Sequence, residues 1–179
     1  TYKEATDFLE KKVQSTLIGT SISVSLSELR SISVFLLGEA YKPGLYTLSA
    51  LSSISNALFV AGGVNEQGSL RNIEIKRDGK LIGTYDFYNF LLKGEVDKEL
   101  RLQDGDIIFI PFISNRVKMG GAFKRTAIYE FLEGETLADA VNLAGGYSSS
   151  VPPTAEIELS SLDPETFQRE ILYLLPKNL

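Results

Sequence analysis

The amino-acid sequence predicts an α+β chain that contains two tandem copies of one small domain, preceded by a helix–strand segment. The main observation is an internal repeat at a separation of 83 residues. The matching stretches are 38–46 with 121–129, 56–63 with 139–146 and, one residue later in register, 73–75 with 157–159. A largely gapless match of about thirty residues indicates one supersecondary unit used twice. We therefore expect equivalent helices at residues 53–61 and 136–144.

The first segment predicts one helix and one strand. Apolar residues recur at helical spacing over residues 1–17, where Thr1 and Glu4 have the spacing of a capping box and Gly19 provides a stop. Residues 21–26 alternate between apolar and polar side chains, which is typical of a half-buried strand. This segment has no counterpart before the second copy, so we interpret it as the tail of a preceding domain or as an arm.

The first copy predicts the element order β-β-α-β-β-α-β. Strands are expected at residues 33–37, 45–48, 72–77, 81–85 and 106–111, and helices at 53–61 and 87–92. Pro43-Gly44 and Asp78-Gly79 favour tight turns, Gly62-Gly63 ends the first helix, and Asp86 caps the second. This order is that of a β-grasp fold, in which a sheet wraps around a central helix.

The second copy begins at Val117. Thr136 and Asp139 have the spacing of a capping box at the start of its helix, and they mark that start better than Ser53 and Asn56 mark the start of the first copy's helix. A hairpin is expected from residues 157–159 and 168–175. No second Asp-Gly-Asp strand follows, so we predict that this copy lacks its last helix and strand, by truncation or by divergence. Alternatively, residues 170–176 form a shortened final strand, since they mimic the last strand of the first copy.

Composition excludes several classes of function. The net charge of −5 argues against a nucleic-acid groove, which needs a concentrated basic face. The sequence has no cysteine and no histidine, and therefore no disulfide, thiol nucleophile or imidazole base and almost no means of holding zinc. No run of residues has the length of a membrane-spanning helix, and no signal peptide is evident. Because Thr1 is not an initiator Met, we expect a piece of a longer protein.

Three motifs resemble the soluble-ligand-binding β-grasp (SLBB) domain. They are Val34-x-x-x-Gly38-Glu39-x-x-x-Pro43-Gly44-x-Tyr46, Ala57-Leu58-x-x-Ala61-Gly62-Gly63 and Leu102-x-x-Gly105-Asp106-x-Ile108-x-Ile110-Pro111. With residues 29–32, residues 68–73 and the tandem arrangement, the chain is similar to the periplasmic part of outer-membrane polysaccharide export proteins, the capsule-translocon family. The resemblance implies three parts: residues 1–31 as the tail of a polysaccharide-export domain, 32–113 as a first SLBB domain, and 115–179 as a second one, either incomplete or closed by the shortened strand.

What the resemblance implies is a ring-forming lipoprotein that passes capsular or extracellular polysaccharide through the periplasm and outer membrane. The implied partners are the polysaccharide, other copies of the full-length protein and an inner-membrane polysaccharide co-polymerase, with no nucleic acid. The implied location is the periplasm, with attachment to the outer membrane through parts outside these residues. The sequence departs from the family at residues 124–127, where Lys-Arg-Thr-Ala replaces a Pro-Gly turn, and it has no anchoring cysteine.

Four residues are candidates for contact with a sugar. Tyr41 and Tyr147 lie in turn-like sequence, and a tyrosine ring offers an apolar face with a polar edge. Lys124 and Arg125 are suited to an acidic sugar or to a carboxylate of a neighbouring subunit, although adjacent cations on a loop are usually only solvated. By contrast, Tyr46 and Tyr129 fall at equivalent positions, which favours a shared role in packing.

The sequence favours a non-catalytic function. Asp104 and Asp106 are the carboxylate pair that suggests glycoside hydrolysis, but in a tight Asp-Gly-Asp turn they more simply fix the turn. We therefore predict no catalytic residue, no cofactor and no metal, and a protein that acts through assembly and conduit geometry. The alternative is a module that binds a soluble glycan or another small ligand; an enzyme is disfavoured. An incomplete second sheet also predicts an unpaired edge near residues 168–175, through which the otherwise monomeric chain would dimerise weakly.

Overall fold

The computed structural model describes residues 2–16, 22–25, 30–95, 100–152, 154–163 and 165–175. The chain divides into two compact units, Thr1–Ser31 and Ile32–Leu179. In the first unit, helix α1 (Tyr2–Thr16) confirms the helix predicted from the spacing of apolar residues, and none of its residues is buried. The predicted cap at Thr1 and the predicted stop at Gly19 lie outside the described residues.

The strand predicted over residues 21–26 is wrong for its described part. Residues 22–25 belong to no strand, and Ser21 and Leu26 lie outside the described residues. A strand requires a neighbour that completes its backbone hydrogen bonds, and the described part of this unit provides only a helix. The carbonyl of Val24 accepts a hydrogen bond from the hydroxyl of Tyr2 on α1.

The first repeat contains all seven predicted elements. They are β1 (Ser31–Gly38), β2 (Gly44–Ser49), α2 (Ile54–Val60), β3 (Ile73–Arg77), β4 (Lys80–Tyr85), α3 (Phe87–Lys93) and β5 (Ile107–Ile110). The strands form one sheet in the order β2-β1-β5-β3-β4. The last strand, β5, is therefore central, parallel to β1 and antiparallel to β3. The arrangement is the β-grasp sheet that the element order predicts.

The core of the first repeat lies between this sheet and α2. Alternate residues of β1 are buried, as expected for a strand with one face on a core. The largest wholly buried apolar side chains come from β1, α2, β3 and β5: Val34, Leu36, Leu58, Ile73, Ile75, Ile108 and Ile110. Full burial of each such side chain contributes roughly 1.5–3 kcal/mol, so β5 is a main source of the stability of this repeat.

Local signals set the element boundaries as predicted. The Ser53 side chain accepts a hydrogen bond from the N–H of Asn56 at the start of α2, and the Asp86 side chain caps α3 in the same manner. Gly94 ends α3 with φ 72°. The β3–β4 turn has positive φ at both central residues, as a two-residue hairpin turn of this type requires.

The second repeat contains counterparts of only the first five elements among the described residues. They are β6 (Asn115–Met119), β7 (Ala127–Phe131), α4 (Leu137–Leu143), β8 (Ile157–Leu162) and β9 (Arg169–Leu174). Thr136 and Asp139 form the predicted capping box of α4. The helices α2 and α4 occupy equivalent positions in the two repeats, as the register of the internal match predicts.

The sheet of the second repeat is split. Strand β6 pairs with β7, and β8 pairs with β9, as two separate two-stranded sheets. Unlike β5, which pairs with both β1 and β3, β9 pairs only with β8 among the described strands, so residues 170–176 do not join β6 to β8. Within the described part of the chain, no strand lies between β6 and β8, where the first repeat has β5.

Candidate functional site

Two of the four predicted sugar-contact residues, Lys124 and Arg125, lie on the β6–β7 loop, where it packs against the end of α4. The N–H of Lys124 donates to the carbonyl of Gly146 at 3.0 Å, and the N–H of Arg125 donates to that of Ala144 at 2.9 Å. The Arg125 guanidinium donates to the carbonyl of Leu143, at 3.0 Å. A cation at a helix C-terminus satisfies free carbonyls and complements the helix dipole. Arg125 therefore caps α4, whereas the Lys124 side chain is exposed.

Tyr41 occupies in the first repeat the position that Lys124 occupies in the second. Its N–H donates to the carbonyl of Gly63 at 3.0 Å, the same contact that Lys124 makes. The Tyr41 ring is 63% exposed and lies over Gly62, where an added Cβ would come within 2.9 Å of a ring carbon. The glycine pair thus ends the helix and also provides a flat surface for the ring. Tyr41 and Lys124 are therefore equivalent in position but differ in chemistry.

Tyr147 lies beside Phe123, at the base of the β6–β7 loop. The two residues form an antiparallel bridge, and their ring centroids are 5.6 Å apart with planes inclined by 30°. Both rings line a cavity of about 280 Å³. The charged residues described in its wall are two carboxylates, Glu156 and Glu158. Such a wall suits the apolar face of a neutral sugar and repels an acidic one, so an acidic sugar would depend on Lys124 outside the cavity.

Tyr46 and Tyr129 have the shared packing role that the sequence predicts. The Tyr46 hydroxyl donates to the carbonyl of Lys42 at 2.6 Å, and the Tyr129 hydroxyl donates to that of Arg125 at 3.0 Å. Both rings pack against the cores of their repeats. Neither ring is free to contact a sugar face.

A larger groove of about 790 Å³ lies between β6 and β8. Its apolar lining comes from α4, the two strands and the β6–β7 loop: Val117, Met119, Phe123, Leu137, Val141, Ile157, Leu159 and Leu162. The charged residues described along it are Arg116, Lys118 and Arg169 against Glu158. The groove is therefore apolar at its floor and carries an excess of positive charge along its edges.

Buried hydrogen bonds join the two repeats through Glu130, on β7. This residue is 2% exposed. Its carboxylate accepts hydrogen bonds from the Ser69 hydroxyl at 2.5 Å, the Leu70 N–H at 2.7 Å and the Arg71 N–H at 3.1 Å. Hydrogen bonds to a charged acceptor are stronger than neutral ones. The segment before β3 and the strand β7 are therefore held in one arrangement.

Ion pairs extend this junction through Arg71, whose side chain is 8% exposed. Its guanidinium pairs with Asp86 at 3.2 Å and with Glu135 at 2.7 Å, and it lies 5.1 Å from the ring centroid of Tyr88. Burial alone would lower the pKa of Arg71, but the hydrogen bond to Glu135 and the contacts with Asp86 raise it above its ordinary value. Burial alone would raise the pKa of Glu135, but hydrogen bonds from Arg71 and the Leu132 N–H lower it.

Sequence reasoning missed this junction. In the sequence, residues 68–73 contributed only to the family resemblance, and nothing in them indicated a contact with the second repeat. The acceptors Glu130 and Glu135 lie about sixty residues further along the chain, and the internal repeat does not indicate how one copy contacts the other. No pattern in the sequence marks the pairing.

The Asp-Gly-Asp carboxylates are structural, as predicted. Asp104 accepts a hydrogen bond from the N–H of Ser33 at 2.8 Å. Asp106 is fully buried, accepts from the N–H of Gln103 at 2.7 Å and forms a bidentate pair with Arg77 at 2.7 and 2.9 Å. No pattern in the sequence indicated the pairing of this buried carboxylate with Arg77, whose side chain is 27% exposed. Both carboxylates are thus committed to the fold of the first repeat.

Metal-ligating side chains are not clustered in the described ranges, which contain no group of three or more acidic, histidine or cysteine side chains arranged to hold a metal ion. None of the helices within them is both long and apolar enough to cross a membrane. The surfaces described above are the ring pair with its cavity, the exposed loop residues and the groove.

The sequences of both repeats match a known family. The model of the SLBB domain matches residues 33–85 and 116–162, together more than half of the chain. The chain therefore belongs to the SLBB domain family, with one matched region in each repeat.

Two curated Escherichia coli proteins, both named polysialic acid transport protein KpsD, are each 30% identical to it over 114 residues. The alignment covers 63% of this chain and 20% of each relative, so the chain spans about a fifth of their length. These comparisons confirm the predicted resemblance to SLBB proteins of polysaccharide export.

Proposed function

We propose that this chain is a non-catalytic, periplasmic part of a polysaccharide export protein that assembles into a conduit for capsular or extracellular polysaccharide. The observation that carries the proposal is the pair of SLBB domains in a chain similar to a protein named for polysialic acid transport. In this proposal, residues 32–113 and 115–179 are the two SLBB domains, and residues 1–31 are the tail of a preceding export domain. Attachment to the outer membrane occurs through parts outside these residues.

The junction between the repeats supports a role in assembly. Closure of a ring requires every subunit to present its surfaces at the same angle. The buried contacts of Glu130 and the ion pairs of Arg71 fix one repeat against the other, which favours such a constant angle. The proposed partners are further copies of the full-length protein, the polysaccharide and an inner-membrane polysaccharide co-polymerase.

Deletion of residues 32–179 from the full-length protein tests this function in cells. We expect surface polysaccharide to be lost while polymer accumulates inside the cell, because synthesis does not depend on the conduit. The measurement is the ratio of surface to total polysaccharide, with the exposed Glu133→Ala as a control that leaves the ratio unchanged. Normal surface polysaccharide in the deletion strain, or loss of synthesis itself, would contradict the proposal.

The second candidate function is a glycan-binding module. The ring pair of Phe123 and Tyr147 beside a cavity of about 280 Å³ favours it. Titration of the chain with neutral oligosaccharides should then give saturable binding, weakened at least about fivefold by Tyr147→Ala, since an aromatic contact contributes about 1 kcal/mol beyond its buried area. Tyr173→Ala is the matched control, because that ring is 59% exposed on β9 and does not line the cavity.

Acidic oligosaccharides distinguish the two parts of this site. If the loop contributes, Lys124→Ala weakens binding of an acidic oligosaccharide and leaves a neutral one unaffected, and Tyr41→Ala tests the equivalent position of the first repeat. Arg125→Ala is less informative, because it also removes the cap of α4. Equal effects of Tyr147→Ala and Tyr173→Ala would exclude the cavity as the site.

A further inference from the structure

The groove between β6 and β8 has the form of a β-grasp sheet without its central strand. In the first repeat, β5 runs parallel to β1 and antiparallel to β3 and joins the two halves of the sheet. In the second repeat, β6 and β8 occupy the places of β1 and β3, and both line the groove. Among the described strands each pairs only with its hairpin partner, so their facing edges have no strand neighbour.

Side chains that β5 covers in the first repeat have more exposed equivalents in the second repeat, as expected where the sheet has no central strand. In the first repeat, Leu58 on α2 and Ile75 on β3 are 0% and 1% exposed beneath β5. Their equivalents in the second repeat, Val141 and Leu159, line the groove and are only half-buried. The second repeat therefore retains apolar residues at positions that a central strand would cover.

A pair of equivalent glycines gives independent support. Gly38 is the last residue of β1 and has φ 75°, and an added Cβ would lie 2.2 Å from the carbonyl oxygen of Ile110 on β5. Gly121 has φ 84° at the equivalent position, and an added Cβ there would meet nothing within 4 Å. The space that a strand carbonyl fills in the first repeat is free in the second, beside a residue without a side chain.

We propose that this groove binds an extended polypeptide segment of the β5 type, with aspartate before alternating apolar residues. The basic excess of Arg116, Lys118 and Arg169 over Glu158 complements the two aspartates that precede β5 in the first repeat. Addition of a strand to a free sheet edge is a common mode of peptide recognition, in which backbone hydrogen bonds provide affinity and alternate side chains provide specificity. The inference depends on the repeat geometry and not on the proposed export function.

The first repeat also predicts the register of the bound strand. Ile108 lies opposite Leu36 of β1 and Ile75 of β3, so its equivalent would lie opposite Met119 and Leu159. The strand would run parallel to β6 and antiparallel to β8. This strand would fill the facing edges of β6 and β8. The outer edge of β9, near residues 168–175, is a different edge; it has no neighbour among the described strands, and its role in dimerisation stays a prediction.

A synthetic peptide with the sequence of residues 101–112, added to the whole chain, tests the proposal. Hydrogen–deuterium exchange should show protection of β6 and β8, with β1 and β3 unchanged because their groove is already filled. The control is the same peptide carrying Ile108→Asp and Ile110→Asp, which should bind at least tenfold more weakly since it cannot cover the apolar floor.

A substitution in the chain completes the test. Gly121→Ala should weaken binding of the peptide at least tenfold by occupying the space of the strand carbonyl. Gly134→Ala is the matched control, because Gly134 has φ 85° and equally open surroundings but lies in the turn between β7 and α4, and not just after β6. Protection of β9 instead of β6 and β8, equal binding of the two peptides, or occupation of the groove by a glycan or a second copy of the chain would each overturn the proposal.

Discussion

Replacement of Glu130 by alanine should destabilise the contact between the two repeats. The substitution removes the acceptor of three donors: the Ser69 hydroxyl, the Leu70 N–H and the Arg71 N–H. The Arg71 N–H retains a second acceptor, the Ser69 oxygen at 3.2 Å, so two hydrogen bonds are lost without replacement. Hydrogen bonds to charged groups contribute about 1.5–3 kcal/mol each.

The expected loss in the free energy of unfolding is about 2–4 kcal/mol, because removal of a buried charge returns part of the cost of its desolvation. For a chain of this size, that loss lowers the melting temperature by roughly 5–15 °C. Urea unfolding followed by circular dichroism measures the change, and Glu130→Gln, which keeps one acceptor oxygen, should lie between wild type and alanine.

The control for this prediction is Glu133→Ala, an exposed carboxylate on the turn that follows β7. Exposed substitutions of this kind usually change stability by less than about 0.5 kcal/mol. If Glu130→Ala and Glu133→Ala had the same small effect, the buried contacts would not stabilise the junction and the reasoning would be refuted.

Three further predictions concern the buried charges and the glycines. Asp106→Asn should lower the free energy of unfolding by about 1.5–3 kcal/mol, since it removes the negative charge from the pair with Arg77, whose side chain is 27% exposed and still reaches water; denaturant unfolding measures this, and an unchanged midpoint would contradict it. The pKa of Glu135 is lowered by Arg71, so its contribution to stability is fully present above the unfolded value of 4.5 and is lost as the pH falls through the folded value. Wild type should therefore lose its advantage over Glu135→Gln below about pH 4.5 in acid unfolding curves. Finally, Gly38→Ala should destabilise the chain by more than Gly121→Ala in thermal unfolding, because both add the strain of a positive φ, about 1–2 kcal/mol, but only the first also meets the β5 backbone.

The elements predicted correctly are those set by local chemistry. The caps at Ser53, Asp86 and Thr136 and the turn at Asp78-Gly79 act within a few residues, so their effect is readable from the sequence. The internal match then predicted equivalent elements in the second copy from those of the first. Even the exposed position of Tyr41 followed from its turn-like surroundings.

The features missed depend on contacts between distant residues. Alternation in residues 22–25 indicated a strand, but a strand exists only where a partner lies beside it. The pairings of Arg77 with Asp106 and of Arg71 with Glu135 join residues whose proximity is set by the sheet and by the packing of the repeats. Of the candidate site, the sequence indicated exposed residues but not the cavity, the groove or the capping role of Arg125.

The central position of β5 has a consequence for the order of folding. The pairing of Phe35 with Ile107 closes a loop that contains most of the first repeat, so the sheet of that repeat cannot form until its final strand is available. Parallel pairings between such distant residues are slow because the entropy of loop closure opposes them. The described strands of the second repeat pair only within hairpins, which form in microseconds. The second repeat should therefore complete its strand pairing before the first repeat completes its sheet, even though a ribosome would deliver the second repeat last.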